Sequence, residues 1–239
     1  MTSSSKKFDL PKLPVIESCY SRYFGLTPGG VDLLAALAAL PLDALKTLHD
    51  LLCDTTRAGG RVFIMGNGGS FDNSRFIADL FHRQGLICKT PGRPECYLQA
   101  RTSDEYAAIF RRGLEEDRLC CNDLVIGLSG SGNSPNILEA FKYAQAQDAK
   151  IFALGGRTGG AMRKITGDQR ALIVSSDNME AIEDLHSACG VILAKMLERK
   201  ESCTDVHAKF ISALKRCLTP QTIQGMARLA HELLRTMRD

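Results

Sequence analysis

The chain has 239 residues, 44% of them hydrophobic and 24% charged, enough for one α/β core with a small helical appendage. Thirty Lys and Arg against 27 Asp and Glu leave a formal charge of +3, with the signs interspersed. That balance excludes the basic stripe of a nucleic-acid binder, so no direct nucleic-acid partner is expected. The uncharged run Leu33 to Leu42 has ten residues, where a membrane span needs about 20, so no membrane partner is expected either. No apolar stretch of secretory type follows Met1, and the nine cysteines have no regular spacing. They are expected to be reduced core thiols, in the cytoplasm.

In chain order, residues 1 to about 13 are rich in Ser, Lys and Pro and are expected to be flexible. A short helix is expected over Ile16 to Phe24, then a longer helical pattern over Val31 to Thr56, interrupted at Pro41 and closed by Gly59-Gly60. Leu42, Leu45, Leu48, Leu51 and Leu52 share one helical face. From Arg61 short apolar runs alternate with amphipathic stretches. Strands are expected at Val62 to Met65, Cys96 to Gln99, Leu124 to Leu128, Ile151 to Leu154 and Ala171 to Val174. Helices are expected at Ser70 to Arg83, Asp104 to Asp117, Pro135 to Gln147, Gly160 to Ile165 and Met179 to Glu198. The alternation is that of an α/β fold: a doubly wound, mostly parallel five-stranded sheet flanked by helices. Beyond Cys203, Val206 to Cys217 and the stretch opened by Pro220 form a helical hairpin. The organisation expected is therefore a core over 14–202, preceded by a loose N-terminus and followed by a hairpin over 203–239.

Two loops leave the ends of expected strands. The first is Gly66-Asn67-Gly68-Gly69-Ser70 and the second Ser129-Gly130-Ser131-Gly132-Asn133-Ser134, each followed by a helix. Glycines let backbone N–H groups approach an anion, the helix N-terminus adds unpaired donors, and serine hydroxyls complete a cradle for a tetrahedral oxyanion. Each loop alone also fits a plain strand-to-helix turn with a serine N-cap. Neither is a Walker A motif, since no Lys-Ser or Lys-Thr follows, and neither completes a dinucleotide fingerprint. Hydroxyl-rich loops without a cationic anchor suit a small phosphomonoester.

These two loops, with Leu154-Gly-Gly-Arg-Thr-Gly-Gly160 and Ala181-Ile-Glu-Asp-Leu-His186, resemble in order and spacing the sugar isomerase (SIS) domain over about residues 31–200. Within it they are most similar to the phosphoheptose isomerases and to a relative of these, the replication initiator-associating protein. The resemblance implies the fold named above and a phosphorylated sugar bound by Ser129, Ser131 and Ser134, with Ser70, Asn67, Gly68 and Gly69 of the first loop. Gly130 stands where the family has threonine.

The family's isomerases interconvert ketose and aldose phosphates, for example sedoheptulose 7-phosphate, through an enediol, with a Glu base, a His partner and often zinc. With one residue skipped after Ser70, Arg75 stands at the family's helix His and Asp79 at its Glu. Glu183 replaces the Gln of the last core helix, and Val191 falls at the catalytic His eight positions on. No zinc-site residue of the family is retained, and Arg75 would repel a cation, so no metal and no cofactor are expected. Asp79 and Glu183 remain carboxylates able to act as base, with Arg75 as electrophile or anion clamp. An i, i+4 bridge between Arg75 and Asp79 is the plain alternative. Asp104 lies near the family's Asn-Asp at the sugar site. His186 is expected to be structural or subunit-facing. The resemblance implies a homo-oligomer, dimer or tetramer. Two functions stay open: a metal-free aldose–ketose isomerase, or a non-catalytic sugar-phosphate-binding or protein-adaptor module.

Overall fold

The computed structural model describes residues 33–92, 96, 99–199, 202–217, 221 and 224. The chain divides into two compact units, residues 39–209 and the flanking segments 1–38 with 210–239. In the flanking unit α1 spans Leu33–Ala38. The expected helix over 16–24 and the N-terminal stretch 1–13 fall outside the described residues, and of the helix expected beyond Pro220 only residues 221 and 224 are described, both helical.

The larger unit runs α2 (Leu42–Arg57), β1 (Val62–Gly66), α3 (Gly69–His82), β2 (Cys88–Lys89), α4 (Ser103–Ala107), α5 (Ile109–Glu116), β3 (Leu124–Ser129), α6 (Pro135–Ala146), β4 (Lys150–Gly156), α7 (Gly160–Thr166), β5 (Ala171–Val174) and α8 (Met179–Arg199). Helix α9 (Cys203–Cys217) begins in this unit and runs into the other. The strands form one sheet in the order β2-β1-β3-β4-β5, every neighbouring pair parallel. Residues of β1 and β3 are buried throughout, because helices cover both faces of a parallel sheet. On one face α5, α6 and α7 bring Phe110, Phe141 and Met162 against Phe63, Met65 and Val125. Helices α2, α3 and α8 pack together on the opposite face. Among the described residues no helix is long and apolar enough to cross a membrane.

Two expectations need correction. Where a strand is expected over Cys96 to Gln99, the described residues Cys96 and Gln99 are helical, and the Ala100 N–H donates to the Cys96 carbonyl at 3.0 Å. The edge strand is instead Cys88–Lys89, registered against Val62 and Phe63. Two residues carry no usable alternation, and an edge position asks for little of it. The helix expected over 104–117 is broken at Ala108 into α4 and α5. Thr102 and Glu105 close a capping box over the first piece, where each side chain takes the other's backbone N–H at 3.2 Å.

The lower ends of β1, β3 and β4 are tied together by Asp123, which is 1% exposed. Its carboxylate accepts the Arg61 backbone N–H at 2.7 Å, Arg61 Nε at 3.2 Å, Nη2 at 2.7 Å and the Cys120 N–H at 2.9 Å. Arg61 also donates to the carbonyls of Asp117 and Arg118 at 2.7 and 2.9 Å. The Asp123 carbonyl takes the Lys150 N–H at 3.0 Å, which starts β4 in register.

Burial pushes the Asp123 carboxyl up, but the hydrogen bonds from Arg61 and Cys120 and the charge of Arg61 outweigh it and hold it below its ordinary value. A lowered folded pKa means the contribution is complete at neutral pH and is lost as pH falls through that pKa, below about 3.9. Asp123→Ala is expected to lower the unfolding free energy at pH 7 by about 3 kcal/mol, because it strands Arg61 and the Cys120 N–H. Urea titrations at pH 7 and pH 3 check this: the gap between wild type and variant narrows at the lower pH. A gap unchanged between the two would contradict the assignment.

Candidate functional site

Strands β1 and β3 are neighbours, yet the chain leaves β1 toward β2 on one side and β3 toward β4 on the other. Such a switch point leaves a crevice at the carboxyl ends of the two strands. Both glycine-rich loops open there.

In the serine loop, buried Ser129 is the hub. Its hydroxyl lies 2.9 Å from the Ser134 hydroxyl and 3.5 Å from that of Ser131, and it accepts the Gly132 N–H at 3.1 Å. The Ser131 hydroxyl accepts the Asn133 N–H at 3.2 Å. Gly132 has φ +67°, and a Cβ there would lie 2.0 Å from the Gly159 carbonyl oxygen, so the third glycine-rich segment requires glycine at this position. Asn133 completes the junction, its side-chain carbonyl accepting the Ala161 N–H at 2.9 Å. Ser134 occupies the N-cap position of α6 but makes no side-chain cap bond. Its hydroxyl turns toward Ser129 instead, so the loop is a cluster of hydroxyls at the positive end of a 12-residue helix.

The first loop is fastened to the second by a pair of amides. Asn67 Nδ2 donates to Asn136 Oδ1 at 3.0 Å, and Asn136 Nδ2 donates back to Asn67 Oδ1 at 2.8 Å. Asn136 is fully buried, and its Oδ1 also takes the Ile137 N–H at 3.0 Å. Sequence reasoning named Asn67 and missed Asn136. The available signal was an amide directly after Ser-Pro, in a turn of α6 that would otherwise face the core.

Helix α8 forms the third wall. Glu183 stands against the start of α3: Ser70 Oγ lies 3.5 Å from Glu183 Oε1, and a Cβ on Gly69 would come within 2.3 Å of Oε2. Asn73, also missed, holds the two helices together, donating to the Glu183 carbonyl at 2.8 Å and accepting from Ser187 Oγ at 2.8 Å. His186, fully buried, contacts the Gly155 carbonyl through Nε2 at 3.2 Å. Burial pulls its pKa down to about 4, against the opposing pull of that carbonyl, so the ring is neutral at pH 7.

The remaining expected residues lie elsewhere. Arg75 and Asp79 are exposed on the outer face of α3. The bridge expected between them is not the one formed: Asp79 pairs with Arg83 at 2.6 Å, and the Arg75 guanidinium lies 5.9 Å from the Phe71 ring centroid. The reason is spacing, since Arg83 offers Asp79 the same i, i+4 step in the other direction. Asp104 is exposed in the first turn of α4. A cavity of about 960 Å³ beside α5, lined by Thr90, Gln99, Glu105 and Arg112 among others, includes none of the loop residues. A smaller cavity of about 470 Å³ borders the serine loop at Asn133, Thr158, Gly160 and Arg163.

Among the described residues no three His, Cys, Asp or Glu side chains group as metal ligands. At the four positions that the family resemblance implies for metal, Arg75 is a cation, Asp79 pairs with Arg83, Val191 has no donor atom, and Glu183 alone offers a carboxylate beside the loops.

The SIS domain matches residues 30–156 of the chain. A phosphoheptose isomerase of Helicobacter pylori is 36% identical over 164 residues, covering 66% of this chain and 84% of that protein. One from Akkermansia muciniphila is 32% identical over 184 residues, covering 72% and 93%. The solved structure of a phosphoheptose isomerase from Francisella tularensis superposes with a TM-score of 0.63 at 22% identity, covering 83% of this chain and 100% of that one.

The amide pair between the loops is open to a double-mutant cycle. Asn67→Ala and Asn136→Ala are each expected to cost about 1–3 kcal/mol of stability, since each leaves a partner amide unsatisfied. The double variant is expected to lose less than the sum of the two. Urea unfolding of the four proteins measures it, and additive losses would show that the two amides do not act as a pair.

Proposed function

The chain belongs to the SIS domain family, and from that premise we propose that it is a sugar-phosphate isomerase acting between an aldose and a ketose phosphate. Its relatives carry the name phosphoheptose isomerase, so the substrate proposed is a seven-carbon sugar phosphate such as sedoheptulose 7-phosphate. The observation that carries the reading is the meeting of the two glycine-rich loops beside one half-buried carboxylate, Glu183.

The charge of Glu183 divides the work between the loops. A phosphate dianion at Gly68, Gly69 and Ser70 would face that carboxylate, whereas Ser129, Ser131 and Ser134 offer hydroxyls and the N-terminus of α6. The phosphate is therefore assigned to the serine loop, and Asn67, Gly68, Gly69 and Ser70 to the sugar end. There Glu183 acts as base. It takes the proton from the carbon next to the carbonyl, the electron pair moves onto the carbonyl oxygen to give an enediolate, the proton of the adjacent hydroxyl passes to that oxygen, and the same carboxyl returns its proton to the former carbonyl carbon as the new carbonyl forms. No metal enters this scheme.

Of the three residues expected to carry chemistry, Glu183 lies beside the loops. Asp79, held by Arg83, and Arg75 join the reaction only where a second copy brings its crevice to the outer face of α3. The assembly proposed is a homo-oligomer, dimer or tetramer, in the cytoplasm, with no nucleic-acid or membrane partner. Asp104 is assigned to the sugar only through the family resemblance. The same exposed ion pair favours a second reading, a non-catalytic sugar-phosphate-binding or adaptor module, because it removes one of the two candidate carboxylates from the crevice.

Two measurements test this. Calorimetric titration is expected to show sedoheptulose 7-phosphate binding at least about tenfold tighter than sedoheptulose, and equal affinities would remove the phosphate site. Wild type in deuterium oxide is expected to incorporate deuterium at the carbon next to the substrate carbonyl, undiminished by EDTA. Glu183→Gln is expected to slow that exchange by about 100-fold or more. No exchange in wild type supports the binding module, and exchange lost on chelation and restored by zinc overturns the metal-free scheme.

A further inference from the structure

The first two turns of α8 reach over the carboxyl ends of β1, β3 and β4. Met179 and Glu183 are four residues apart and so lie on one face of the helix. Each closes on a glycine of one loop. Glu183 stands against Gly69, and Met179 against Gly130, where a Cβ would lie 2.2 Å from Sδ and 2.7 Å from Cε. Gly130 is not among the positive-φ glycines, so its backbone does not demand glycine; a Cβ there would clash only with the end of the Met179 side chain and would have to push it aside.

The helix cannot easily give way. Ile182 is seated against Gly156, where a Cβ would come within 2.4 Å of its Cδ1, and His186 and Asn73 hold the next turns. Gly130 sits between Ser129 and Ser131, so the thioether borders the hydroxyl cluster. Met179 is nonetheless 41% exposed, so part of its side chain stays open to solvent.

We propose that Met179 is a specificity-determining residue of the serine-loop site, its thioether supplying the wall that a side chain at position 130 would otherwise form. The inference rests on the sugar-phosphate reading above and adds a residue to it. A thioether is apolar, polarisable and a weak acceptor with no hydrogen to donate. The wall beside the phosphate cradle therefore gains from contact with C–H groups of the attached carbon chain, and a sugar hydroxyl turned against it loses a water without gaining a partner. The phosphate itself is left to the serines and backbone amides.

Calorimetric titration of inorganic phosphate and of sedoheptulose 7-phosphate into wild type, Met179→Ala, Met179→Leu, Gly130→Ala and the Gly130→Ala/Met179→Ala double variant tests the proposal. Met179→Ala is expected to weaken sedoheptulose 7-phosphate by about tenfold and inorganic phosphate by less than about twofold. Met179→Leu, close in volume, is expected to retain sugar-phosphate affinity within about threefold. Gly130→Ala is expected to weaken sedoheptulose 7-phosphate and to leave inorganic phosphate within about twofold, because its methyl pushes the thioether aside. The double variant is expected to match Met179→Ala for both ligands, and thermal melts confirm that each variant is folded. Equal weakening of both ligands in Met179→Ala, or no change in either, overturns the proposal. If wild type does not prefer the phosphorylated sugar, the sugar-phosphate reading itself fails and this inference with it.

Discussion

The reciprocal amide pair between Asn67 and Asn136 is the contact on which the candidate site depends. Parallel neighbours β1 and β3 send their loops to opposite sides of the sheet, so nothing in the strand pairing alone keeps the two loops at a set distance. Two hydrogen bonds between amides, one of them fully buried, fix that distance at the upper end. At the lower end Asp123 and Arg61 do the same for the strand starts with a charge-assisted network. A crevice between two strands keeps its width only if both ends of the pair are held, and here each end is held by buried, satisfied polar groups.

Electrostatics inside the crevice comes from few full charges. The serine loop offers hydroxyls, backbone donors and a helix end, none of which enters the net charge of +3. Among the described residues the carboxylate that stands against the first loop, Glu183, is on α8. In the proposed function that asymmetry gives a bound phosphomonoester a direction: phosphate toward 129–134, carbon chain toward 66–70. The helix that brings Glu183 also brings Met179 one turn earlier, so the same rigid element sets the polar and the apolar parts of the wall. A buried neutral histidine, His186, lies one turn further on with its Nε2 against the Gly155 carbonyl.

How much of this could be read in advance differs from element to element. The strands at 62, 124, 150 and 171 are mostly apolar and mostly buried runs, and a fully covered parallel sheet makes such runs hard to mistake. Edge strand Cys88–Lys89 escaped because two half-buried residues leave no pattern, while the β-like composition of Cys96 to Gln99 drew the assignment away from it. The serine and glycine loops were legible because their chemistry is local: backbone approach, hydroxyl density and a following helix all fall within a few consecutive residues.

By itself, then, the sequence determined the α/β class, the order of its main elements and the two loops that open at the sheet's upper edge. Each of these is encoded by neighbours along the chain. Only the tertiary structure decided that Asn136 answers Asn67 across 69 positions, that Asp79 bonds Arg83 rather than Arg75, and that Glu183 and not Asp79 stands at the crevice. It also decided that the Met179 thioether lies against Gly130. Those outcomes depend on helix rotation and on contacts between distant segments. A substitution of one residue at a family position reveals its new chemistry but not the partner that will claim it.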